Sequence, residues 1–448
     1  MVSSGGNGAD GRGTAVVIGG GLAGLLAAWA LRGQAARIVV VERDRYPEQP
    51  GFRAGTPQGH HAHLLLEGGR RALEELMPGI GSELGEQQAQ LVDVPNGLNW
   101  LSSADWMPRF RSGLSFLSCT RPVLDHAVLE RVRTEPSIEF LEATTVVGLL
   151  GGAAGLTGVR IRAKGATTGD GDREIAAELV VDASGRSSAL PDWLGEAGYP
   201  RAPEERVDPG VAYASRLYHR PADSDPDLPA VYLQTKAPDQ PRFGVLLPVE
   251  GDRWLVTVGG MRGAEPAPGE AGFAAQLEQL RDPVLRDLVA GAEPAGEVRG
   301  FRPGPGVRRH YERSSPAGLV AVGDAACTFN PVYGQGISTA AFGARALRAA
   351  VLHHGIGHAG AREARRGVAR AAADAWLMSS SEDVRFPTTE GGPSGSTVRI
   401  QHRYLDRVIA RAAVDHGVCA AFVAVMSLTR PPTSLFHPKV LWSVLRGR

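Results

Sequence analysis

Cysteine is scarce in this chain of 448 residues. The three cysteines, Cys119, Cys327 and Cys419, lie far apart and form no C-x-x-C pair. Their odd number and wide spacing exclude a disulfide framework and a cysteine-rich zinc site, and they favour a reducing compartment. We therefore expect a cytoplasmic protein.

Net charge and long apolar runs are absent as well. Lys+Arg and Asp+Glu both number 48, so the formal net charge is +0. A balanced chain has no long-range attraction to nucleic acid or to an acidic membrane, and the expected partner is a small molecule. No stretch reaches the roughly 18 uninterrupted apolar residues of a membrane span, so we expect no transmembrane segment. Residues 1–13, MVSSGGNGADGRG, lack a basic region followed by an apolar one, which predicts a disordered tail instead of a signal peptide.

A βαβ pattern follows the tail, in TAVVIGGGLAGLLAAWALRGQAARIVVVERD. A β-branched run precedes a G-x-G-x-x-G motif, a helix-forming segment follows it, and a second buried strand ends at Glu42. Gly19 permits the tight turn, Gly21 lets backbone N–H groups approach a pyrophosphate, and Gly24 allows close packing of the helix on the strand. The helix N-terminus favours phosphate, and Glu42 is placed to accept hydrogen bonds from a ribose diol. The pattern predicts a dinucleotide site.

Two further strand-loop-helix segments and a block of strands complete the chain. AELVVDASGRSSALPDWL places Asp182 at the end of a buried strand, and GLVAVGDAACTFNPVYGQGISTAAFG repeats the pattern without the glycine motif. Residues 205–262 are rich in β runs, of which RFGVLLPV and RWLVTVGG are separated by EGD, a hairpin signal. We therefore expect an antiparallel sheet inserted into an α/β domain, with a mostly helical region after it.

Together, GGGLAG, Arg121, DASG and GDAA with NPVYGQG resemble the FAD-dependent monooxygenases of the para-hydroxybenzoate hydroxylase fold, in the same order and over nearly the whole chain. Within that superfamily, GTPQGHHAHLLL and LPDWLGEAGYPRAPEERVDPGVAYASRLYHRP are similar to segments of the bacterial polyether epoxidases of the monensin and lasalocid pathways. The resemblance implies an α/β fold, with an FAD-binding Rossmann-like domain of the glutathione reductase type, an inserted, mostly antiparallel β-sheet substrate domain and a C-terminal helical region.

The domains predicted in this way are discontinuous. Their boundaries are 14–90, 118–204 and 300–350 for the FAD-binding domain, 91–117 and 205–299 for the substrate-binding sheet, and 351–448 for the helical region. Aromatic side chains of the inserted segments are candidates for lining the substrate pocket, although each is also an ordinary core residue. They are Trp100, Trp106, Phe110, Tyr232, Phe243 and Trp254.

The resemblance also implies roles in FAD binding. Asp324 would hydrogen-bond the ribityl chain, Arg121 would reach FAD from the start of its helix, and Arg53 would lie against the pyrophosphate. The loop 331–336 would present backbone N–H groups at a helix N-terminus to the pyrimidine edge, where reduced flavin is anionic. The full set of predicted cofactor-binding residues is Gly19, Gly21, Leu22, Ala23, Gly24, Glu42, Arg43, Arg53, Gln58, Arg121, Val146, Asp182, Gly323, Asp324, Pro331, Gly334, Gln335 and Gly336.

The source of electrons is left open by the sequence. Asp182 stands where the family often has an Asp-Gly pair linking the flavin and nicotinamide sites, but here the segment reads Asp-Ala-Ser-Gly. No second strand-coupled G-x-G-x-x-G motif exists in the sequence. NAD(P)H would therefore reduce the flavin directly or through a partner reductase.

Three histidines, His60, His61 and His63, stand within GTPQGHHAHLLL. They are too close in sequence to converge easily on one point, and no further ligand is evident, so we predict no metal site. The loop follows Glu42, which places it over the flavin, and His61 and His63 are candidates for proton delivery there. A purely structural role is the alternative.

The expected reaction is epoxidation of C=C bonds in an apolar polyketide or terpenoid intermediate, free or carrier-bound, by O2 through a flavin hydroperoxide. Such a transfer needs a dry pocket and a positioned double bond more than acid-base groups. The alternatives are an aromatic hydroxylase on the same scaffold, a flavin-dependent reductase of prenyl chains, and a flavin-free lipid-binding protein. A halogenase is disfavoured, because the sequence has no W-x-W-x-I-P segment.

Overall fold

The computed structural model describes residues 13–152, 154–167, 171–225 and 228–446. Residues 1–12 of the predicted tail and residues 447–448 of the predicted helical region lie outside this part of the chain. The strands are β1 Thr14–Ile18, β2 Arg37–Val41, β3 Gln90–Val94, β4 Leu98–Leu101, β5 Leu114–Ser118, β6 Ile138–Leu141, β7 Thr144–Gly152, β8 Gly155–Ala163, β9 Asp172–Ala176, β10 Leu179–Asp182, β11 Glu204–Asp208, β12 Ala212–His219, β13 Ala230–Leu233, β14 Arg242–Val249, β15 Arg253–Gly260, β16 Arg299–Phe301, β17 Gly306–Arg309, β18 Leu319–Ala321, β19 Cys327–Thr328 and β20 Glu390–Gly391.

The α-helices are α1 Leu22–Leu31, α2 Glu67–Leu76, α3 Ile80–Glu86, α4 Arg121–Arg133, α5 Leu190–Glu196, α6 Gly269–Glu278, α7 Val284–Ala290, α8 Gly336–His354, α9 His358–Asp383, α10 Ser396–Ala412, α11 His416–Met426 and α12 Pro438–Arg446. Short 3-10 turns at Pro57–His60, Gly323–Ala325, Pro331–Tyr333 and Pro432–Phe436 connect some of these elements. None of the helices in the described residues is both long and apolar enough to cross a membrane.

A five-stranded parallel sheet carries the dinucleotide motif. Its strand order is β18-β10-β1-β2-β6, and every neighbouring pair is parallel. The strands β18, β10, β1 and β2 are buried on both faces, which explains their continuous apolar runs. The last residue of β1, Ile18, is in register with Val41 and Asp182, and Asp182 with Ala321. The loops after β1, β2, β10 and β18 therefore leave from one edge of the sheet, where ligands of such folds bind.

The inserted sheet has six strands in the order β16-β12-β15-β14-β13-β4. All its neighbouring pairs are antiparallel except β13 with β4. β14 and β15 form the predicted hairpin, in which Val249 pairs with Arg253. The α/β class with an inserted, mostly antiparallel sheet is thus present in the structure.

The strands outside these two sheets belong to smaller ones. β11, which the predicted boundaries assign to the substrate-binding sheet, pairs with β17 and β20 in a separate four-stranded sheet. β3 and β5 form a two-stranded ribbon, and β7, β8 and β9 a three-stranded sheet. The division of the chain into domains stays a prediction.

The C-terminal region is largely helical from α9 onward. Residues of α10, α11 and α12 share a hydrophobic core with the inserted sheet and the β3–β5 ribbon. Phe422 of α11 packs on Trp100 of β4, with ring centroids 5.5 Å apart. This packing holds the helical region against one side of the inserted sheet.

Candidate functional site

The glycine motif forms the turn between β1 and α1. Gly19 has a φ of 92°, and a Cβ there would lie 2.7 Å from the carbonyl oxygen of Ala183. A Cβ on Gly24 would lie 1.9 Å from the carbonyl oxygen of Gly19, so only glycine allows the helix to approach the turn. Gly21 is the N-cap of α1 and no side chain caps this end. The backbone N–H groups of the first turn are therefore open to a ligand.

Glu42 holds the turn from the end of β2. One carboxylate oxygen accepts from Gly20 N at 2.7 Å, and the other accepts from Asp44 N at 2.8 Å. Arg53 lies with its Nη1 3.4 Å from Glu42, and its Nη2 donates to the carbonyl of Gly20 at 3.3 Å. Arg53 Nη1 is buried and has no hydrogen-bond partner in the described residues. Glu42 balances the charge of Arg53, but a donor of Nη1 is left for an anion beside the glycine turn.

Asp182 lies one layer behind the surface that a ligand would contact. It is fully buried and accepts hydrogen bonds from Ser184 N at 3.0 Å, from Ser184 Oγ at 2.5 Å and from Ser188 Oγ at 2.5 Å. Burial raises the pKa of this carboxyl above its ordinary value. Asp182 therefore orders the loop 183–188, and the loop residues themselves face the ligand space.

The loops after β18 supply the other end of the site. Asp324 has no hydrogen-bond partner in the described residues, and burial raises the pKa of its carboxyl. Gly334 ends the Pro331–Tyr333 turn with a φ of 65°, and α8 begins at Gly336 with no side-chain cap. A second open helix N-terminus therefore faces the same space as α1.

These loops enclose a cavity of about 540 Å³, within the range of cofactor sites. The predicted cofactor-binding residues that line it are Gly19, Gly21, Leu22, Ala23, Glu42, Arg43, Arg53, Gln58, Arg121, Val146, Gly323, Asp324, Pro331, Gly334 and Gly336. Gly24, Asp182 and Gln335 were predicted with them but lie outside its lining. Sequence reasoning missed Arg186 and Asn330, which also line the cavity. The DASGRSS segment was the available signal for Arg186.

The histidines of GTPQGHHAHLLL separate in the structure. His63 lines the cavity, whereas His61 is 2% exposed and lies behind the loop, with its Nδ1 2.8 Å from Ser215 Oγ. His60 stacks on Phe52, with ring centroids 3.7 Å apart. Among the described residues, no group of three or more His, Cys, Asp or Glu side chains could hold a metal ion.

Both inner histidines are neutral near pH 7. Desolvation, with a smaller contribution from His60, lowers the pKa of His61 to about 4, and desolvation with the Arg121 charge lowers the pKa of His63 to about 3. His63 Nδ1 lies 2.8 Å from the carbonyl oxygen of His61, which can only accept, so Nδ1 carries the proton. The Nε2 of His63 is then an acceptor. The lowered pKa values argue against proton delivery by either ring, and the burial of His61 outside the cavity lining argues against a ligand contact for it.

We expect His61→Ala and His63→Ala to behave differently. His61→Ala removes a partner of buried Ser215 and should lower the free energy of unfolding by roughly 1–3 kcal/mol, with FAD affinity retained. His63→Ala should weaken FAD binding with little loss of stability, and His63→Gln, which keeps an acceptor, should restore part of it. Urea unfolding of the apo protein and titration with FAD measure the two effects. Unchanged FAD affinity in His63→Ala would remove His63 from the site.

A second cavity of about 240 Å³ lies against the inserted sheet and the C-terminal helices. Its walls include the apolar side chains Leu66, Val94, Trp100, Phe116, Leu247, Phe422 and Met426. Several wall polar groups bond within the protein: the indole N–H of Trp100 donates to Gln234 at 3.1 Å, and the Tyr404 hydroxyl donates to the carbonyl of Leu435 at 2.6 Å. The cavity therefore suits an apolar ligand.

Not all of the predicted pocket aromatics line this cavity. Trp100 and Tyr232 do. Trp254 and Phe243 belong to separate hydrophobic clusters, and Phe110 stacks on His416 with ring centroids 4.8 Å apart. Trp106 is not in the lining. The sequence identified aromatic side chains, but only the packing decides which of them face the cavity.

One loop separates the two cavities. Pro331, Gly334 and Gly336 line the first cavity, and the residues that alternate with them, Val332, Tyr333 and Gln335, line the second. Leu64 of the histidine loop contributes to both. A ligand in the second cavity would therefore lie just across this loop from a ligand in the first.

Asp383, at the C-terminal end of α9, is hydrogen-bonded to one residue that lines the first cavity and to one that lines the second. Its Oδ1 accepts from Asn330 Nδ2 at 2.6 Å and from the Tyr333 hydroxyl at 3.0 Å. Asn330 lines the first cavity and Tyr333 the second. Asp383 is 2% exposed, and burial raises the pKa of its carboxyl to about 7. Nothing in the local sequence around Asp383 indicated this contact.

FAD fits the first cavity on several counts. The open N-termini of α1 and α8, and the Nη1 of Arg53, which has no hydrogen-bond partner in the described residues, suit phosphate and an anionic flavin edge. The carboxylate of Asp324 suits a chain of hydroxyl groups. A Cβ built on Gly21 meets no heavy atom within 4 Å, so this face of the turn is open to a closely approaching ligand.

Comparison with known proteins agrees with this geometry. Residues 15–192 match the family described as FAD dependent oxidoreductase. A structure of a triple mutant of the flavin-dependent brominase Bmp2 has a TM-score of 0.68 to this chain, at 14% identity, over 96% of this chain and 99% of that one. At this identity the likeness shows the fold alone. The fold is that of flavin-dependent monooxygenases and halogenases, and it confirms the predicted fold class.

Two relatives match over most of their length. Protein Rv3254 of Mycobacterium tuberculosis is 29% identical over 437 residues, 92% of this chain and 89% of the relative. The 6-methylpretetramide 4-monooxygenase of Streptomyces rimosus is 29% identical over 358 residues, 74% of this chain and 73% of the relative. The chain is thus similar to the FAD dependent oxidoreductase family over residues 15–192 and to these two relatives over most of its length. The polyether epoxidase subtype stays a prediction.

Proposed function

We propose that this protein is an FAD-dependent monooxygenase that epoxidises a C=C bond of an apolar small molecule, a polyketide or terpenoid intermediate. The observation that carries the proposal is the shared loop 331–336, which forms the wall between an FAD-sized cavity and an apolar one. A substrate in the apolar cavity is thereby held beside the flavin end of the cofactor site. Positioning of this kind supplies much of the catalysis in an oxygen transfer.

The chain contributes orientation and exclusion of water. When bound, FAD supplies the reduced ring that activates O2. Trp100, Phe116 and Phe422 surround the substrate with apolar surface, and Leu64 lines both cavities. A dry site of this kind disfavours loss of the activated oxygen to water.

The electron source is proposed as NAD(P)H. The chain carries only one strand-coupled G-x-G-x-x-G motif, which the FAD site uses. NAD(P)H therefore binds transiently beside the flavin, or it acts through a partner reductase. Oxidation of NADH or NADPH by the purified FAD-loaded protein, without a second protein, distinguishes these routes.

Hydroxylation of a phenol is the second candidate. It needs a group that takes the phenolic proton, and the Tyr333 hydroxyl with the Asp383 carboxyl offers such a pair in the wall of the apolar cavity. The match to 6-methylpretetramide 4-monooxygenase also favours it. An epoxidation would not require this pair to change its protonation state.

Isotope incorporation tests the proposed function. The FAD-loaded protein is supplied with NADPH, 18O2 and panels of apolar alkenes and phenols, and products are analysed by mass spectrometry. A monooxygenase adds one 18O atom, and the chemistry of the product separates an epoxide from a phenol. A product that gains two hydrogen atoms and no oxygen would instead identify a reductase of prenyl-like double bonds.

Filling the apolar cavity should uncouple the reaction. Met426 lines this cavity and Met426→Trp places a larger side chain in it, so we expect product formation to fall at least about tenfold. NAD(P)H oxidation should continue, with its electrons appearing as hydrogen peroxide, because the FAD cavity is unchanged. Leu352→Trp, at an exposed position of α8, is the matched control. Full coupling in Met426→Trp would place the substrate elsewhere.

A further inference from the structure

We infer that the surface around the mouth of the apolar cavity docks on an anionic lipid membrane, from which the apolar substrate enters. This docking surface consists of the outer faces of α10 and α12, the Pro432–Phe436 turn and Leu377 of α9. The inference rests on the proposed function only in taking the second cavity as the substrate site. Two independent observations carry it: clustered unpaired cations and clustered exposed apolar side chains.

Positive charge is concentrated in this part of a chain whose formal net charge is +0. Residues 396–446 contain seven Lys and Arg but only two Asp and Glu. Both acids are already paired, Asp406 with Arg385 at 2.7 Å and Asp415 with Arg411 at 3.0 Å. The cations without a carboxylate within ion-pair distance among the described residues are Arg399, Arg403, Arg407, Arg430, Lys439 and Arg446. They leave an uncompensated charge that suits an anionic surface.

Exposed apolar side chains are concentrated in the same place. Of the ten large apolar side chains that are most exposed in the described residues, six lie between α9 and α12. They are Leu377, Ile400, Val414, Phe436, Trp442 and Leu445, exposed by 49%, 64%, 73%, 51%, 58% and 65%. Trp and Leu beside Lys and Arg are the composition of surfaces that insert into the interface of a bilayer.

The apolar and basic groups form one continuous surface. Tyr404 stacks on Phe436, with ring centroids 4.7 Å apart, and Ile400 lies one helical turn before Tyr404. Farther along α10, Arg411 donates to Ser443 of α12 at 3.1 Å, beside the exposed Trp442. The same face of α10 therefore leads from the turn to α12.

The mouth of the apolar cavity opens within this surface. Leu377, Gln401 and Phe436 are all exposed and all line the second cavity. A substrate dissolved in a bilayer could pass between them without crossing water, which removes the cost of desolvating it twice. The exposed apolar side chains Leu377 and Phe436 at this opening favour a lipid surface over an acidic carrier protein.

Flotation with vesicles tests the inference directly. The FAD-loaded full chain is mixed with vesicles of phosphatidylcholine alone or of phosphatidylcholine with phosphatidylglycerol, and bound protein is measured without turnover. We expect binding to the anionic vesicles only, and weaker binding as salt increases. Because no reaction is measured, failure to bind is independent of failure of the proposed function.

Two pairs of variants locate the contact. Arg403→Glu with Arg407→Glu, and Trp442→Ser with Leu445→Ser, should each weaken binding at least about tenfold. The matched controls are Arg173→Glu with Arg362→Glu, and Leu352→Ser, at exposed positions of other elements, and they should bind as the wild type.

Four results would overturn the inference. The first is that the wild type does not bind anionic vesicles, and the second is that all variants bind them equally. The third is that the wild type does not bind vesicles but forms dimers, which are lost in the variant that combines Trp442→Ser and Leu445→Ser. The third result would make this surface an interface between copies of the chain. The fourth, specific retention on an acidic carrier protein without vesicle binding, would equally contradict the inference.

Discussion

Gly21→Val is expected to abolish FAD binding while the protein still folds. Gly21 has an extended conformation, with φ −73° and ψ 178°, which valine adopts readily. A Cβ built on it meets no heavy atom within 4 Å, so the fold has room for the new side chain. The same room is the space beside the N-terminus of α1, where the pyrophosphate needs close contact with backbone N–H groups. We expect FAD affinity to fall at least about 100-fold, or about 2.7 kcal/mol.

Two other glycines provide the comparison. Gly195→Val, where a Cβ also meets nothing within 4 Å, should change neither FAD affinity nor stability appreciably. Gly24→Ala should lower both, because its Cβ would lie 1.9 Å from the carbonyl oxygen of Gly19. Flavin absorbance of the purified variants and thermal unfolding of their apo forms measure these effects. A Gly21→Val protein with stoichiometric flavin would show that the pyrophosphate binds elsewhere.

Asp383→Asn is expected to change how stability depends on pH. Burial raises the pKa of Asp383 from 3.8 to about 7 in the folded protein. Because the carboxyl binds a proton more tightly in the folded state than in the unfolded state, protonation of Asp383 stabilises the folded state. This stabilisation is complete below about pH 4 and is lost as the pH rises to about 7. The loss amounts to roughly 4 kcal/mol at 1.36 kcal/mol per pKa unit. Asparagine keeps an acceptor for Asn330 and Tyr333 but cannot ionise.

The expected result is therefore a difference between two pH values. At pH 4 the variant and the wild type should have similar free energies of unfolding, and at pH 8 the variant should be the more stable by up to roughly 4 kcal/mol. Urea unfolding of both proteins at the two pH values measures it. Asp239→Asn, at an exposed aspartate, should show no such difference. A parallel pH dependence of Asp383→Asn and wild type would mean that Asp383 titrates normally.

The same variant separates the two candidate reactions. If the substrate is a phenol, Asp383→Asn should lower kcat and shift its pH profile, because the Tyr333–Asp383 pair takes up the proton. If the substrate is an alkene, the pH profile should keep its shape. Tyr333→Phe removes the hydroxyl but keeps the ring in the cavity wall. It should change kcat and its pH profile in the same way as Asp383→Asn for each of the two substrate classes.

The histidine loop illustrates the limit of reasoning from a short segment. Three histidines in four positions drew attention to chemistry, but the structure turns His61 inward to Ser215 and only His63 toward the cavity. In a fully extended segment His61 and His63 would share one face. The loop after the Pro57–His60 turn belongs to no strand, and the sequence alone does not say which of its side chains face the ligand. Only His63 keeps a proposed role in the site.

The charge of the chain shows a similar limit. A total of 48 basic and 48 acidic residues argued against attraction to an acidic membrane. A total averages over the whole surface, whereas association depends on local charge, and six exposed cations without ion-pair partners lie within residues 396–446. Their arrangement becomes visible only when α10, α12 and the turn between Pro432 and Phe436 are packed together.

The sequence by itself determined the dinucleotide turn, the loops that follow the parallel strands at one edge of the sheet, and the presence of an inserted antiparallel sheet. These features depend on residues that are close in the chain, or on the rule that parallel strands end at one edge, so a local pattern is sufficient. Only the tertiary structure decided that loop 331–336 separates two cavities and that Asp383 bonds Tyr333, 50 residues away. Such contacts arise from the packing of distant helices on a sheet, for which a local pattern carries no signal.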